Sequence, residues 1–228
     1  MIKAVFFDLD ETLADTMSAQ HEANIYAFRE FGYDYQTIRE QTKIIDTMGR
    51  RIIDFLRLIK EGAGITEKKL PLKNLYEARK KYFFNLIEDN DKLMKLYPGA
   101  KECLFKVKKT GVITAIVSSG TKKYIKLILK KFKLFSFVNF IISGDEINKG
   151  KPDPECYEKA YQYLVEHYGK IRKDECLVVE DTEIGVIAAN KAGLKILLVP
   201  SRYSVLPKTV KPDYQLKSLK DFNKTILL

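Results

Sequence analysis

Short apolar runs alternate with segments of helical periodicity along most of this 228-residue chain. Strand-like runs occupy residues 2–8, 112–118, 137–143, 176–180 and 195–200. Helical patterns separate or precede the later runs at 100–109, 121–133, 155–168 and 184–192. Strands that alternate with helices form parallel sheets whose faces are covered by those helices. The pattern therefore predicts an α/β fold built on a mostly parallel sheet.

A purely helical block interrupts this alternation after the first strand. Helical periodicity covers about 17–32, 36–46, 49–62 and 72–88. A Pro-Gly pair at 98–99 then marks the return to alternating strands and helices. We therefore expect a core domain formed by residues 1–14 and 91–228, and an inserted helical cap domain formed by residues 15–90.

The composition is that of a globular protein, with 46% apolar and 31% charged residues. The longest apolar runs have the length of strands, so no membrane span is expected. The N-terminal segment lacks the long apolar stretch of a signal peptide, and the three cysteines form no CxxC pair. We accordingly expect a cytoplasmic protein with reduced thiols. We also expect a monomer or a weak homodimer.

A net charge of +10 raises the question of a nucleic-acid partner. The positive excess lies outside residues 15–90, and it is densest at 121–133. In that segment the apolar residues Ile125, Ile128, Leu129 and Phe132 have helical spacing, which leaves the lysines largely on the solvent side. Arginines, which nucleic-acid surfaces favour, lie elsewhere. We interpret the segment as a solvated helix and do not expect nucleic acid to bind, with a non-catalytic basic binding protein as the alternative.

Polar residues follow four of the predicted strands. They are Asp8 and Asp10 after the first, Ser118 and Ser119 after the second, Lys151 in the loop after the third, and Glu180 and Asp181 after the fourth. Open parallel sheets bind ligands beyond the carboxyl ends of their strands, so these side chains should meet at one edge. Taken singly, the acidic residues could cap helices, the serines could belong to an ordinary turn, and Lys151 could be a surface lysine. Such local roles would have to hold at four strand ends at once.

Four sequence segments contain these residues: FDLDET (7–12), AIVSSG (115–120), GKPDP (150–154) and VVEDTEIG (178–185). Their order, spacing and flanking strands resemble the haloacid dehalogenase superfamily, in particular its phosphoglycolate phosphatase and β-phosphoglucomutase-like members. The resemblance covers essentially the whole chain, cap included. It implies a Rossmann-like parallel sheet with helices on both faces and an inserted α-helical cap.

The resemblance further implies an enzyme, a Mg²⁺-dependent phosphatase that acts on a small phosphorylated metabolite through an aspartyl-phosphate intermediate. It assigns Asp8 as the nucleophile and Asp10 as the general acid and then the general base. An aspartate rather than an aromatic residue at position 10 argues against a dehalogenase, because that reaction has no leaving oxygen to protonate. Glu11 departs from the glycine that is common in the family.

The remaining residues of the four segments acquire roles from the same resemblance. The Ser118 hydroxyl and the Ser119 N–H would hold phosphate oxygens, and Lys151 would neutralise charge shared by the phosphate and the nucleophile. Asp8, the backbone carbonyl of Asp10 and Asp181 would bind Mg²⁺, with Glu180 assisting directly or through water. Thr12 is expected to order the first loop rather than to contact substrate.

Specificity is expected to lie in the cap. The segment TMGRRIIDF (47–55) resembles the specificity loop of sugar-phosphate members, so Arg50 or Arg51 could bind a second anionic group of the substrate. An exposed arginine pair without such a role is the alternative. A β-phosphoglucomutase-like sugar phosphomutase is the second enzymatic hypothesis; His21 lies one residue away from a histidine position of such members.

Overall fold

The computed structural model describes residues 1–42, 49–89, 93–204, 206, 208–223 and 227, and the structural statements below concern these residues. The chain forms two compact units. The core unit consists of Met1–Ala14 and Leu96–Leu228, and the helical unit consists of Asp15–Lys95. The second boundary therefore falls at 95/96 rather than at the expected 90/91. That residues 15–90 act as a cap stays a prediction.

The predicted strands and helices follow one another in the expected order, and three short strands that were not predicted accompany them. In chain order the strands are β1 (Ala4–Phe7), β2 (Ala14–Asp15), β3 (Lys95–Leu96), β4 (Ile113–Val117), β5 (Phe140–Ile142), β6 (Cys176–Glu180), β7 (Lys195–Leu198) and β8 (Tyr214–Gln215). The helices are α1 (Met17–Glu30), α2 (Tyr35–Thr42), α3 (Ile52–Gly62), α4 (Leu72–Asp89), α5 (Ala100–Lys109), α6 (Lys122–Lys131), α7 (Glu155–Tyr168) and α8 (Glu183–Lys191). The helix expected at 36–46 is described only as far as Thr42.

The predicted parallel sheet is confirmed. In the described part of the chain it has six strands in the order β5-β4-β1-β6-β7-β8, and every neighbouring pair runs parallel. β1 lies between β4 and β6, where Phe7 is in register with Ile116 and Val179. The carboxyl ends of these three strands therefore lie side by side. The short strands β2 and β3 form a separate two-stranded sheet where the chain passes between the units.

Apolar side chains hold the core unit together. On one face of the sheet Phe6 and Val178 belong to a buried cluster that also contains Tyr157 and Leu164 of α7 and Val186 of α8. β-Branched and aromatic residues fill buried parallel strands well, which explains why the strand sequences read as continuous apolar runs. The sheet is thereby a rigid support for the loops at its carboxyl edge.

The helical unit has a core of its own. Its buried cluster includes Phe28 from α1, Leu56 and Ile59 from α3, and Leu75 from α4. α1 packs mainly against α4. An independent core explains why the unit separates as a compact body.

The basic segment at 121–133 forms the amphipathic helix α6. Ile125, Ile128 and Leu129 are buried as predicted, whereas Phe132 ends the helix half-buried. Lys126 lies on the exposed face. No helix in the described ranges combines the length and the apolar character needed to cross a bilayer.

Candidate active site

The carboxyl ends of β1, β4 and β6 position three of the expected site residues. Asp8 follows β1 directly, Ser118 follows β4 directly, and Glu180 is the last residue of β6. The backbone N–H of Asp8 donates to the Val179 carbonyl at 3.0 Å, and that of Ser118 donates to the Ile142 carbonyl at 3.1 Å. Because these bonds continue the sheet ladder, the side chains leave the edge from a fixed backbone.

Lys151 joins two of these strand ends. Its Nζ donates to Asp8 Oδ1 at 2.6 Å and to Glu180 Oε1 at 2.5 Å. Lys151 is 2% exposed, and its Nζ also lies 3.5 Å from the Val117 carbonyl oxygen. A buried ammonium is tolerated only when it is paired and hydrogen-bonded, and here two carboxylates and a carbonyl meet that need.

Glu180 is held on both of its carboxylate oxygens. Oε1 accepts from Lys151 and from the Tyr157 hydroxyl at 2.6 Å, and Oε2 accepts from the Thr182 hydroxyl at 3.1 Å. Gly185, in the first turn of α8, leaves room for this carboxylate. A Cβ at that position would lie 2.0 Å from Glu180 Cδ. The helix start is therefore shaped around the glutamate.

Asp181 points into the same buried cluster. Its Oδ1 accepts from the Thr12 hydroxyl at 3.2 Å, and its Oδ2 accepts from the Ser204 hydroxyl at 3.0 Å. Thr12 thus connects the first loop to the fourth motif. Ser204, which follows β7, is an addition that the motifs did not reveal.

Three carboxylates of this edge form a potential metal centre. One oxygen each from Asp8, Glu180 and Asp181 lies within 4.8 Å of the others, and all three residues are buried. Lys151 alone counters them among the contacts described, so the ionised cluster has two negative charges in excess. A divalent cation that prefers oxygen ligands would balance that charge. The donor set therefore fits such a cation.

Burial and neighbouring charges shift the pKa values of the groups in this cluster. Burial raises the pKa of Asp8 from 3.8 to about 8, against the opposing effect of Lys151. Burial, followed by the charges of Glu180 and Asp8, holds the pKa of Asp181 well above its ordinary value. Burial by itself would lower the pKa of Lys151, but Asp8 and Glu180 raise it well above its usual range. The lysine is therefore a permanent cation.

Asp10 lies apart from the buried cluster and is half-buried. Its Oδ1 accepts from the Tyr124 hydroxyl at 2.5 Å, and its Oδ2 lies 3.5 Å from Ser118 Oγ. The Gly120 N–H donates to Ser118 Oγ at 3.0 Å. Ser119, also half-buried, lies between them in the turn that leads to α6. The first and second motifs therefore meet at Asp10 and Ser118.

Glu11 has a backbone conformation that L residues rarely adopt, with φ of +62°. This explains why glycine is common at the position. Glu11 is 4% exposed, and its Oε2 accepts from the Tyr97 hydroxyl at 2.5 Å. Tyr97 thus anchors the glutamate in the turn after Asp10.

Arg50 and Arg51 lie in the helical unit, just before α3. The Arg51 guanidinium binds Asp54 through two hydrogen bonds, from Nε at 2.6 Å and from Nη2 at 3.1 Å. Arg57 also reaches Asp54, at 3.2 Å. Two of the five N–H donors of Arg51 are therefore engaged within the helical unit. His21 Nε2 lies 3.2 Å from Gln36 Nε2 in the same unit.

The motifs identified most of this edge, but several supporting residues have only weak signals in the sequence. Gly185 had the best one, because a glycine inside a helical pattern often marks a close approach. Tyr157 and Tyr124 occupy apolar helical positions, where a tyrosine is expected to pack. Ser204 lies in a loop without a motif. Their roles depend on elements that meet only after folding.

Known proteins similar to this chain include named phosphatases and a β-phosphoglucomutase. The chain is 30% identical to YhcW of Bacillus subtilis, a protein named as a phosphatase, over 100% of this chain and 97% of that one. It is 27% identical to a phosphorylated carbohydrates phosphatase of Thermotoga maritima, over 85% and 83% of the two chains. The crystal structure of a β-phosphoglucomutase from Clostridium difficile has the same fold, with a TM-score of 0.79, 21% identity and coverage of 100% and 96%.

A family model provides the decisive match. The model described as haloacid dehalogenase-like hydrolase matches residues 5–199, which include all four motifs and the helical unit. The chain therefore belongs to the haloacid dehalogenase-like hydrolase family.

Proposed function

We propose that this hydrolase is a Mg²⁺-dependent phosphatase that acts on a small phosphorylated metabolite through an aspartyl-phosphate intermediate. The observation that carries the proposal is the buried contact of Asp8 with Lys151, beside Glu180 and Asp181. A phosphoryl group needs a nucleophile, neutralisation of its charge and a proton donor in one place. The core unit offers all three at a single edge of its sheet.

Asp8 acts as the nucleophile in the first step. One of its carboxylate oxygens forms a bond to phosphorus as the bond between phosphorus and the leaving oxygen breaks. Asp10 gives its proton to that oxygen, so the alcohol leaves neutral. Lys151 stays protonated next to Asp8 and offsets the charge that gathers on the phosphoryl oxygens.

Asp10 changes role in the second step. It accepts a proton from water while the water oxygen bonds to phosphorus and the bond from phosphorus to Asp8 breaks, which releases inorganic phosphate. Ser118 and the Ser119 N–H hold phosphoryl oxygens during both steps. The two steps together use several polar groups, which explains why the edge carries so many of them.

A divalent cation would be held by Asp8, Asp181 and the Asp10 carbonyl, with Glu180 assisting, and it would supply further charge neutralisation at the phosphate. We assign Mg²⁺ because the donors are oxygens, which this hard cation prefers. The excess negative charge that the cluster carries when its carboxylates are ionised supports a divalent cation at this place.

We further propose a phosphorylated carbohydrate or a similarly small phosphoester as the substrate class. The core-unit residues recognise a phosphate, which every such substrate shares. Discrimination would therefore depend on the helical unit, where Arg50 or Arg51 would bind a second anion of the substrate. The name of the Thermotoga maritima relative is consistent with this class.

The test is a panel of phosphorylated metabolites assayed for phosphate release with and without Mg²⁺. Wild type should hydrolyse members of the panel, and Asp8→Asn should reduce turnover at least about 10³-fold while the fold is retained, because the amide cannot form the acyl phosphate. Activity of Asp8→Asn within tenfold of wild type would contradict the assignment of Asp8 as the nucleophile. Isomerisation of glucose 1-phosphate without phosphate release would instead identify a phosphomutase.

A further inference from the structure

Tyr124 occupies a position next to Asp10 that none of the four motifs includes. Its hydroxyl donates to Asp10 Oδ1 at 2.5 Å, and the residue is 5% exposed. The two residues are 114 positions apart in the chain. The contact therefore exists only because α6 starts at the same sheet edge as the first loop.

The start of α6 is built so that this tyrosine reaches the carboxylate. Thr121 caps the helix, and its side chain accepts from the Tyr124 N–H at 3.3 Å. Tyr124 is then the third helical residue, and long side chains in a helix point back toward its N-terminus. The phenol is thereby directed at the sheet edge rather than along the helix.

Gly120 makes room for the ring. A Cβ at Gly120 would lie 2.5 Å from Tyr124 Cδ1, a distance that real Cβ atoms essentially never show. Gly120 also donates its N–H to Ser118 Oγ at 3.0 Å. The turn that positions the proposed phosphate-binding serine thus also provides the space for the tyrosine.

The two oxygens of Asp10 consequently have different surroundings. Oδ1 is occupied by the phenol O–H, whereas Oδ2 faces Ser118 Oγ at 3.5 Å. When Asp10 is protonated, the oxygen that accepts from Tyr124 acts as the carbonyl oxygen, so the proton is carried by Oδ2. That oxygen is on the side of the proposed phosphate site.

We propose that Tyr124 is a positioning residue that fixes the Asp10 carboxyl, so that Oδ2 is the oxygen that gives the proton to the leaving group and later takes one from water. The inference rests on the proposed phosphatase function. It concerns a residue that acts through Asp10 and does not itself contact the phosphate.

Leaving groups of different basicity separate this role from a structural one. An alkoxide needs a proton as it departs, whereas para-nitrophenolate is stable without one. The value of kcat/KM covers binding and the steps up to departure of the leaving group, so it includes proton donation and excludes hydrolysis of the phosphoenzyme. A misplaced Asp10 should therefore lower kcat/KM for alkyl phosphates selectively.

The experiment compares Tyr124→Phe with wild type on para-nitrophenyl phosphate and on the alkyl phosphate that wild type hydrolyses best. We expect kcat/KM to fall about tenfold or more for the alkyl ester and less than about threefold for the aryl ester. Tyr97→Phe is the matched control, because it removes a phenol that donates at 2.5 Å to Glu11, the neighbour of Asp10. It should show no such difference.

The outcomes are distinguishable from failure of the proposed function. A wild type that hydrolyses neither ester would refute the phosphatase itself. If wild type is active, two results would refute the positioning role. One is an equal fall of kcat/KM for both esters in Tyr124→Phe, and the other is a fall no larger than that in Tyr97→Phe. Thermal unfolding monitors the fold, and Tyr124→Met, which fills similar space without a hydroxyl, replaces Tyr124→Phe if that variant does not fold.

Discussion

Lys151 Nζ lies 2.6 Å from Asp8 Oδ1 in a buried contact between residues 143 positions apart in the chain. The same nitrogen bridges to Glu180, so one ammonium connects the end of β1 to the end of β6. Removing it would leave two buried carboxylates facing each other. The contact is therefore expected to serve stability and catalysis together.

The substitution Lys151→Met should destabilise the fold. Breaking a buried ion pair by removal of one partner costs about 3–5 kcal/mol, because the remaining charge is left without compensation. The measurement is the free energy of unfolding in urea at pH 7 with EDTA. Lys122→Met removes the partly exposed ion pair with Glu146 and is expected to cost less than about 1 kcal/mol. Equal losses in the two variants would contradict the role of Lys151.

In metal-free protein, the contribution of Asp8 to the free energy of unfolding should fall as the pH rises from about 4 to about 8. Its pKa is 3.8 ordinarily and about 8 in the fold, so between these values the folded state holds a proton that the unfolded state has released. Unfolding free energies in EDTA at pH 5 and pH 8 would measure this. Asp8→Asn should flatten the decline, whereas Asp174→Asn, at an exposed carboxylate, should leave it unchanged. If stability falls with pH as steeply in Asp8→Asn as in wild type, the raised pKa of Asp8 is not the cause of the decline.

Mg²⁺ should raise the melting temperature, and more so at pH 8 than at pH 6, because protons compete for the carboxylates of Asp8 and Asp181. Asp181→Asn should weaken Mg²⁺ binding at least about tenfold in calorimetry. Glu183→Gln is the matched control: its carboxylate accepts from the Lys208 N–H, outside the cluster. If Asp181→Asn binds Mg²⁺ with wild-type affinity, Asp181 is not a ligand of the metal.

Gly185→Ala should disturb the site although it adds a single methyl group. The new Cβ would lie 2.0 Å from Glu180 Cδ, and Glu180 is fixed by Lys151 and Tyr157. Overpacking of this kind costs about 1–3 kcal/mol. Urea unfolding should show this loss, together with reduced phosphatase activity. Asn190→Ala, at an exposed position of the same helix, should stay within about 0.5 kcal/mol of wild type. A stable and fully active Gly185→Ala would show that the glutamate can move without consequence.

The arginines of the helical unit should distinguish substrates that carry a second anion. If Arg50 or Arg51 binds that anion, its change to Ala should lower transition-state binding by about 2 kcal/mol or more for such a substrate, and by much less for para-nitrophenyl phosphate. The ratio of kcat/KM values measures the difference. Arg57→Ala is the control, because Arg57 shares Asp54 with Arg51. Without a differential loss in either variant, the specificity contact lies elsewhere.

Much of the fold was predictable because local patterns determine it. Apolar runs identified five of the six strands of the main sheet but not β8, and helical periodicity identified α6 and α8. The polar residues at the strand ends also predicted the position of the site, because parallel strands bring their carboxyl ends to one edge. The order β4-β1-β6 had no such local signal, whereas the Pro-Gly pair at 98–99 lies close to the boundary at 95/96. Strand order depends on how helices pack across the sheet, which periodicity does not encode.

The sequence by itself determined which residue types stand at the sheet edge: Asp8, Asp10, Ser118, Lys151 and the Glu180-Asp181 pair at the end of β6. Only the tertiary structure decided their partners. It placed the Tyr124 phenol on Asp10, the Ser204 hydroxyl on Asp181 and the Arg51 guanidinium on Asp54. The physical reason is the short distance over which a hydrogen bond forms. A hydrogen bond requires two atoms within about 3 Å, and for groups from distant elements that distance is set by packing of the intervening core rather than by neighbours in the chain.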